Sequence, residues 1–479
     1  MTAGDLTMLL PFIVLGITAL AVMLVTAFFR CHSFVALLTL IGFALSLAAL
    51  VFVYPMSPRQ VTPLLLLDHH AFFYAGLILA GGLSVTVLSF GYLEKLAGHR
   101  EEFYVLMLLA ALGAVVIVAS CHFASLFLGL EILSVALYGL VSYLRSSERS
   151  IEAGIKYLVL ASVSAAFLVF GMAMVYAELG TMSFADIASK AAGMTGHNSL
   201  LLAGTAMIIV GVGFKLAVVP FHLWTPDVYE GAPAPVTAFV ATVSKGSMFA
   251  FLLRYFTQVD VHRDGPLFLV FSLISIASML AGNLLALLQN NIKRILAYSS
   301  IAHMGYLLVA FLATKGLAAS AVAYYLAAYF VTTLGAFGII TVLSEGGQEA
   351  ASIEDYRGLA WRRPVLTAVF TGMLLSLAGI PLTAGFVGKF YVVTAGAGSG
   401  LWALLMVLAA SSGIGLFYYL RIVISMYGEP SEREPSVTAS RLSVSGSALL
   451  AVLTAVLVWL GVYPAHLLEM IGTMFGSVS

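Results

Sequence analysis

Charged residues are scarce in this chain of 479 residues. Asp, Glu, Lys and Arg make up 9% of it, whereas 61% is hydrophobic, and a soluble globular chain carries about 25% charged residues. So much apolar surface excludes a soluble protein and predicts that a lipid bilayer is the solvent. The formal net charge is zero, and the chain has no extended basic cluster, which argues against nucleic-acid binding.

Cysteine is almost absent, and the two present are Cys31 and Cys121. Both flank apolar runs without CxxC spacing or companion ligands, which argues against a disulfide framework or a metal site. We therefore expect no metal and no bound cofactor in this chain. The N-terminus also lacks a basic segment and a small-residue cleavage site, so we expect its first apolar run to be a retained span.

What the chain does have is apolar stretches of about 20 residues, each long enough to cross the hydrocarbon as a helix. We count about 14 of them, and they predict an all-α integral membrane protein. Their limits are 7–28, 33–54, 71–93, 103–120, 122–144, 154–178, 200–222, 234–256, 266–288, 294–313, 317–343, 365–393, 401–427 and 444–464.

Basic residues in the loops predict the orientation, because cytoplasmic loops carry an excess of Lys and Arg. Loops after odd-numbered spans hold Arg30, Lys95, Arg100, Arg145, Arg149, Lys293, Arg294, Arg357, Arg362, Arg363, Arg433 and Arg441. Loops after even-numbered spans hold only Arg59, Lys190, Arg254, Arg263 and Lys315. The first group is expected to face the cytoplasm of a cell inner membrane, with both termini in the periplasm.

A weak internal repeat adds to this topology. KYLVLASVSAAFLVFG, within 154–176, resembles AYYLAAYFVTTLGAFG at 323–338, and the span after each contains a proline, Pro220 or Pro381. An odd number of spans per copy makes the second copy enter from the opposite side, as in inverted-repeat transporters. We predict N-terminal spans at 1–98, repeats of five helices at 99–256 and 257–427, and a last loop and span at 428–479.

Four charged residues lie deep inside predicted spans: Glu131, Lys215, Lys245 and Lys389. A charge at the centre of a membrane helix costs about 2.5–3.5 kcal/mol, so such residues are usually functional. The alternative is a lysine near a span end that extends to the headgroups. That alternative fits Lys95, Lys156, Lys293 and Lys315, but it fits Lys245 badly.

Apolar surroundings disfavour the ammonium form of a lysine, and a nearby carboxylate restores it. Glu131 and Lys215 could therefore form a pair that holds or releases a proton. Pro220 follows Lys215, and Gly379, Pro381 and Gly385 precede Lys389. We predict that both spans are discontinuous helices, a feature that points to an ion site in transporters, although an ordinary proline kink would give the same pattern.

Two histidines complete the set of candidates. His222 lies seven residues after Lys215, which in a continuous helix would put both on one face, and His303 is near the middle of its span. An imidazole relays protons near physiological pH. Each could equally be a satisfied packing residue, and His222 could be a histidine at headgroup level.

The motif GFKLAVVPFHLWTPDVYEGAPAPVTAFVATVSKGSMFAFLLR, at 213–254, resembles the antiporter-like subunits of respiratory complex I and their relatives in Mrp-type cation/proton antiporters and membrane-bound hydrogenases. NNIKRILAYSSIAHMGY and PLTAGFVGKFYV support this resemblance. It implies a mid-membrane pair of Glu131 and Lys215, a connecting Lys245, a terminal proton holder at Lys389, and His222 and His303 on the polar axis.

The resemblance further implies a translocase subunit of an NADH–quinone oxidoreductase that pumps protons without a redox centre of its own. The chain has no GxGxxG loop, Fe–S cysteine pattern or flavin site, so NADH, FMN, Fe–S clusters and quinone are expected in partner subunits. Expected partners are the other membrane subunits, including the M-type antiporter-like subunit and small membrane subunits. The alternatives are an Mrp-type antiporter subunit, a subunit of an energy-converting hydrogenase, or a membrane scaffold.

Overall fold

The computed structural model describes residues 2–96, 98, 100–193, 198–259, 265–313, 317–344, 348–430 and 443–475. Arg263, Lys315, Arg433 and Arg441, which entered the prediction of orientation, lie outside these residues. Contacts between residues of the chain divide the protein into two compact units. Unit 1 is Met1–Thr86, Arg100–Ala217 and Val243–Phe268, and unit 2 is Val87–His99, Val218–Thr242 and Leu269–Ser479.

Helices dominate the described residues. In chain order they are α1 (Ala3–Met8), α2 (Leu10–Phe28), α3 (His32–Val53), α4 (His69–Glu94), α5 (Glu102–Ala119), α6 (Phe123–Val141), α7 (Glu148–Leu179), α8 (Phe184–Ala192), α9 (Ser199–Leu216), α10 (Trp224–Gly231), α11 (Ala234–Phe239), α12 (Lys245–Gln258), α13 (Gly265–Leu287), α14 (Ile292–Phe311), α15 (Leu317–Leu343), α16 (Leu359–Arg362), α17 (Pro364–Ala378), α18 (Ala384–Gly398), α19 (Trp402–Tyr427), α20 (Val444–Val462) and α21 (Ala465–Phe475).

Short elements join these helices. Tyr54–Met56 and Ile353–Tyr356 are 3₁₀ turns, and a π-helical segment, Val240–Ser244, connects α11 to α12. The strands β1 (Arg59–Thr62) and β2 (Leu65–Leu67) form an antiparallel hairpin.

The predicted membrane architecture is confirmed. Among the described residues, 13 helices are long and apolar enough to cross a membrane, and Pro364–Ala378 is a shorter apolar helix. The predicted span 365–393 is two helices, α17 and α18, and the predicted span 200–222 ends as a helix at Leu216. The division into an N-terminal part, two repeats and a C-terminal part stays a prediction.

One structural feature supports the internal repeat. In unit 1, Phe123 N–H donates to the Met182 carbonyl, and Phe184 N–H donates to the Cys121 carbonyl. In unit 2, the same two bonds run from Ile292 to Ala351 and from Ile353 to Asn290, each position 169 residues after its counterpart. The start of α6 and the start of α14 are thus held in the same way within their own units.

Glycines let the helices of unit 1 pack closely. A Cβ on Gly113 of α5 would lie 2.5 Å from the Leu133 backbone nitrogen of α6. A Cβ on Gly171 of α7 would lie 2.6 Å from the Gly204 carbonyl oxygen of α9. Small residues at such interfaces allow backbone contact between membrane helices, where burial of apolar side chains provides no driving force. These contacts hold α6, α7 and α9, which carry the first cluster of polar residues.

Unit 2 is built around α15. Its apolar window is 94% buried, and that of α14 is 89% buried, whereas α20 at 28% is largely exposed. The α14 and α15 helices carry buried histidine, serine, threonine and tyrosine side chains. The helices that carry these polar side chains therefore lie inside the protein, as expected for polar residues in lipid.

Candidate functional site

Lys215 lies in the last turn of α9, where its side chain is buried and the residue is 6% exposed. Its ammonium donates to Ser134 Oγ of α6 at 2.7 Å, and the Ser134 hydroxyl donates to the Leu130 carbonyl at 2.6 Å. The ammonium also lies 5.7 Å from the centroid of the Tyr157 ring on α7. Three helices of unit 1 therefore enclose one lysine with mostly neutral groups.

Glu131 occupies the same face of α6 as Ser134, about one helical turn earlier. Among the described residues the hydrogen-bond partner of Lys215 is Ser134 rather than Glu131, and Glu131 Oε1 is buried without a hydrogen-bond partner. Opposite charges attract each other through space even without a direct contact. In this conformation the serine holds the ammonium, and the carboxylate stays near without a direct contact.

The helix that carries Lys215 stops abruptly. Ala217, its C-cap, has φ 59° and ψ 39°, a left-handed conformation that is uncommon for residues other than glycine. The left-handed conformation costs such a residue about 1–2 kcal/mol of conformational energy. Backbone strain of this kind clusters at functional sites. The end of a helix also favours a cation in its last turn, which is where Lys215 lies.

A second break separates α17 from α18 in unit 2. It contains Gly379 with φ 84° and Leu382 with φ 70°, so this break also includes a left-handed residue other than glycine. The predicted discontinuity of both helices is therefore confirmed. Lys215 precedes its break, whereas Lys389 follows its break and lies on α18.

Lys389 is 8% exposed and uses all three donors of its ammonium. It donates to the Leu377 carbonyl at 3.1 Å, to the Ala378 carbonyl at 2.8 Å and to Ser412 Oγ at 2.8 Å. The two carbonyls belong to the last turn of α17. A lysine on one half-helix therefore caps the open C-terminus of the other half, where the helix dipole favours positive charge.

Lys245 directly follows the π-helical segment Val240–Ser244, near the middle of the continuous helix Ala234–Gln258. It is 1% exposed, and the helix itself is 94% buried. A π-turn inside an α-helix frequently marks a functional site. Lys245 is thus enclosed by protein, and its predicted position deep in the membrane stays a prediction.

His303 lies in a buried cluster of hydroxyl groups in unit 2. Its Nδ1 is 2.7 Å from Tyr325 Oη, and its Nε2 is 3.4 Å from Tyr419 Oη. Its ring also packs edge-on against Tyr306 at 5.5 Å between centroids. Since the Lys389 ammonium lies 5.1 Å from the Tyr306 ring centroid, the histidine and the lysine share one aromatic neighbour.

The expected common helix face of Lys215 and His222 is wrong. The helix ends at Leu216, and His222 lies in the turn before α10. The left-handed Ala217 interrupts the 3.6-residue period on which the prediction rested. His222 is 8% exposed and its Nδ1 lacks a hydrogen-bond partner among the described residues.

Known proteins are similar to this chain in sequence and in fold. A family model described as NADH:quinone oxidoreductase/Mrp antiporter, TM, matches residues 120–415. NADH-quinone oxidoreductase subunit N of Ectopseudomonas mendocina (strain ymp) is 48% identical over 478 residues, which cover 98% of this chain and 96% of that relative. The chain belongs to the NADH:quinone oxidoreductase/Mrp antiporter membrane family.

Solved structures agree with this membership. A chain of respiratory complex I from Thermus thermophilus with bound Aureothin superposes with TM-score 0.82 at 32% identity, covering 96% of this chain and 98% of that one. A chain of the Mrp complex from Dietzia sp. DQ12-45-1b gives TM-score 0.88 at 21% identity, covering 100% and 98%. The second match shows the antiporter fold alone, so the Mrp alternative is the less specific one.

The resemblance predicted from the sequence is thus confirmed, and the part of the chain that matches the antiporter family model includes all six predicted site residues.

Two basic residues that were predicted to lie in loops or at span ends form buried ion pairs in the structure. Arg254 is 6% exposed, and its guanidinium binds both oxygens of Asp68 at 3.0 and 2.6 Å. Burial alone would raise the pKa of the Asp68 carboxyl, but Arg254 more than offsets this and lowers it.

Lys293 is the second basic residue whose predicted position is wrong. It was expected to reach the headgroups, but its side chain is 0% exposed and pairs with Glu349. Its ammonium also donates to the carbonyls of Glu230 and Ala232 at 3.1 and 2.6 Å. Lys293 lies in the first turn of α14, where a helix disfavours cations. That unfavourable position in the motif NNIKR is a signal in the sequence that favours a carboxylate partner.

Replacing Glu349 by glutamine should destabilise unit 2. Glu349 also accepts from Tyr92 Oη at 2.9 Å and from Ala234 N–H at 2.6 Å, and the change leaves a buried ammonium without its charge partner. Breaking a buried pair in this way costs about 3–5 kcal/mol. Thermal inactivation of the purified protein measures the loss.

The matched control for this variant is Glu354→Gln. Glu354 has 72% exposed side chain and only a 3.7 Å pair with Arg357, and an exposed pair is worth about 0–1 kcal/mol. Equal heat resistance of the Glu349→Gln variant and the parent protein would show that the Lys293 pair contributes nothing.

Proposed function

We propose that this chain is a proton-translocating membrane-arm subunit of an NADH–quinone oxidoreductase. The observation that carries this proposal is the pair of lysines at helix breaks. Lys215 and Lys389 are both buried, and their hydrogen-bond partners are neutral hydroxyl and carbonyl groups. Such an ammonium loses its proton more readily than one fixed in an ion pair, so each lysine suits temporary storage of a proton.

Glu131 is the proposed control element for Lys215. Approach of its carboxylate would stabilise the ammonium, and its withdrawal would leave only the neutral Ser134 hydroxyl at 2.7 Å. A side-chain rotation of Glu131, driven by redox chemistry in partner subunits, would then switch Lys215 between retaining and releasing its proton. The buried Oε1 without a partner is consistent with a carboxylate that is not locked in place.

The proposed path enters at Lys215, continues through Lys245 and His303, and leaves through Lys389, with His222 on the same polar axis. His303 and its tyrosine hydroxyls supply donors and acceptors for the later steps. The chain holds no redox centre in this proposal, and NADH, FMN, Fe–S clusters and quinone bind in partner subunits. Its location is the cell inner membrane, with both termini in the periplasm.

Isolation of the native assembly tests this assignment. A tagged chain extracted in mild detergent should co-purify with flavin and Fe–S subunits and with the M-type and small membrane subunits. Membranes that contain this assembly should couple NADH oxidation to proton pumping. Isolation of an assembly that contains only cation-antiporter subunits would overturn the complex I assignment in favour of the Mrp alternative.

A Lys245→Leu variant distinguishes a proton path from a membrane scaffold. Lys245 is 1% exposed, so leucine removes a costly buried group and should leave assembly intact. Proton pumping per NADH oxidised, measured by dye quenching in inverted vesicles, should fall by about tenfold or more, because a positioned proton carrier contributes about 10²–10⁴-fold. Full pumping by this variant would favour the scaffold.

A further inference from the structure

The Lys389 ammonium is stabilised without any carboxylate in the helices around it. Helices α14, α15, α17, α19 and α20 pack against α18, and none of them contains Asp or Glu. The ionisable side chains of these helices are His303, several tyrosines and three cations, Lys293, Arg294 and Arg421. Of these, the Tyr306 ring centroid lies 5.1 Å from the ammonium, and His303 packs against that ring. The charge is therefore held by two carbonyls, one hydroxyl and one aromatic face.

Tyr306 supplies that aromatic face, with its ring centroid 5.1 Å from Lys389 Nζ. A cation within about 6 Å of a ring centroid is attracted by the ring, most strongly where water is excluded. Tyr306 is 2% exposed, so water does not weaken the contact. Because the helices packed against α18 carry no carboxylate, the position of this ring influences how well Lys389 retains its proton.

The position of the ring is set from a neighbouring helix. Asn283 of α13 is 1% exposed, and its amide nitrogen lies 2.9 Å from Tyr306 Oη. Ser411 Oγ lies 3.0 Å from the same hydroxyl and 3.1 Å from the Asn283 nitrogen. Asn283 is itself fixed, because its nitrogen donates to the Met279 carbonyl at 2.8 Å and its oxygen accepts from Tyr418 Oη at 3.0 Å.

We propose that Asn283 is a positioning residue for proton release, which holds the Tyr306 ring against the ammonium of Lys389 and so sets the proton affinity of that lysine. The inference rests on the proposed function, because it assigns Asn283 a role in the proton transfer of Lys389. Ser411 completes the anchor, and its neighbour Ser412 binds the ammonium directly. One short segment of α19 thus contacts both the ring and the charge.

The test measures the pH dependence of proton pumping by the intact complex in vesicles. Asn283→Leu keeps a similar volume but removes the amide anchor of the ring. Loss of the cation–ring attraction disfavours the ammonium, so the limb where activity falls with rising pH should move to lower pH by about one unit. Tyr306→Leu, which removes the ring altogether, should give a shift at least as large.

Tyr306→Phe keeps the ring and removes only its anchored hydroxyl. If Asn283 acts through that hydroxyl, Tyr306→Phe should reproduce the Asn283→Leu shift, and the double variant should show no further shift. Additive shifts, or an unchanged profile in Asn283→Leu, would overturn the proposal. Should Asn283→Leu fail to assemble, Tyr306→Phe decides alone, since an unchanged profile there would equally overturn it.

Ser275→Ala is the matched control. Ser275 also lies on α13 and donates to the Gly305 carbonyl of α14 at 2.9 Å, and among the described residues its side chain forms no hydrogen bond with Tyr306 or Lys389. Its loss should leave the pH profile unchanged, and a shift like that of Asn283→Leu would reduce Asn283 to a general packing role. Lys389→Met separates the two proposals, because full pumping by that variant would contradict the proposed function itself.

Discussion

Replacing Lys215 by methionine is expected to reduce proton pumping by about 100-fold while the complex still assembles. Methionine has a similar unbranched shape and fills apolar space well. The substitution also breaks no direct ion pair, because the hydrogen-bond partner of the ammonium is the neutral Ser134 hydroxyl. The expected functional loss follows because a positioned proton-transfer group contributes about 10²–10⁴-fold. Dye quenching in inverted vesicles, normalised to the amount of assembled complex, measures the effect.

Lys156→Met provides the comparison. Lys156 lies on α7, has 42% exposed side chain and pairs with Glu152 one turn away at 2.7 Å. An exposed pair of this kind contributes about 0.3–0.5 kcal/mol, so pumping should stay near the parent value. Normal pumping in Lys215→Met would refute the assignment of Lys215, and equal loss in both variants would point to a general effect of removing a lysine.

Replacing Gly379 by alanine is expected to disable the other end of the path. A Cβ at this position would lie 2.8 Å from Lys389 Cδ and 3.1 Å from Lys389 Nζ, which is too close for both to stay. The left-handed φ of 84° adds about 1–2 kcal/mol of strain for any residue with a side chain. The ammonium should be displaced from the carbonyls that end α17, and pumping should fall by about tenfold or more.

Gly372→Ala tests whether the position decides this effect. Gly372 lies on α17, two turns before the break, and a Cβ there would meet no atom within 4 Å. Alanine should be tolerated and can stabilise the helix by about 1 kcal/mol. Pumping and thermal inactivation should match the parent in Gly372→Ala, and the same result in Gly379→Ala would contradict the proposed geometry at Lys389.

A charge that stands far from both ends of an apolar run indicates a position deep in the membrane. Lys215, Lys245 and Lys389 were predicted to lie deep for this reason, and the structure shows that all three are buried inside the protein. The same rule failed for Lys293, which lies near a span end and is nevertheless buried. Distance from a span end measures depth along one helix, whereas burial depends on the neighbouring helices.

The helix breaks show a similar division. Proline and glycine after Lys215 and before Lys389 indicated where the helices would stop. They did not indicate that Ala217 and Leu382 would adopt left-handed conformations, because such strain is stable only when surrounding packing enforces it. The ending at Leu216 also removed the helical period that had linked Lys215 with His222.

The sequence by itself determined the membrane class, the deep position of the charges along their apolar runs and the family, because each depends on composition, local periodicity or long motifs. Only the tertiary structure decided the partners of those lysines. Ser134 lies 81 residues from Lys215, and Ser412 lies 23 residues from Lys389. Asn283 meets Tyr306 and Tyr418 from a third helix. Such contacts arise from packing between helices, and no local pattern in the chain specifies which side chains will face each other.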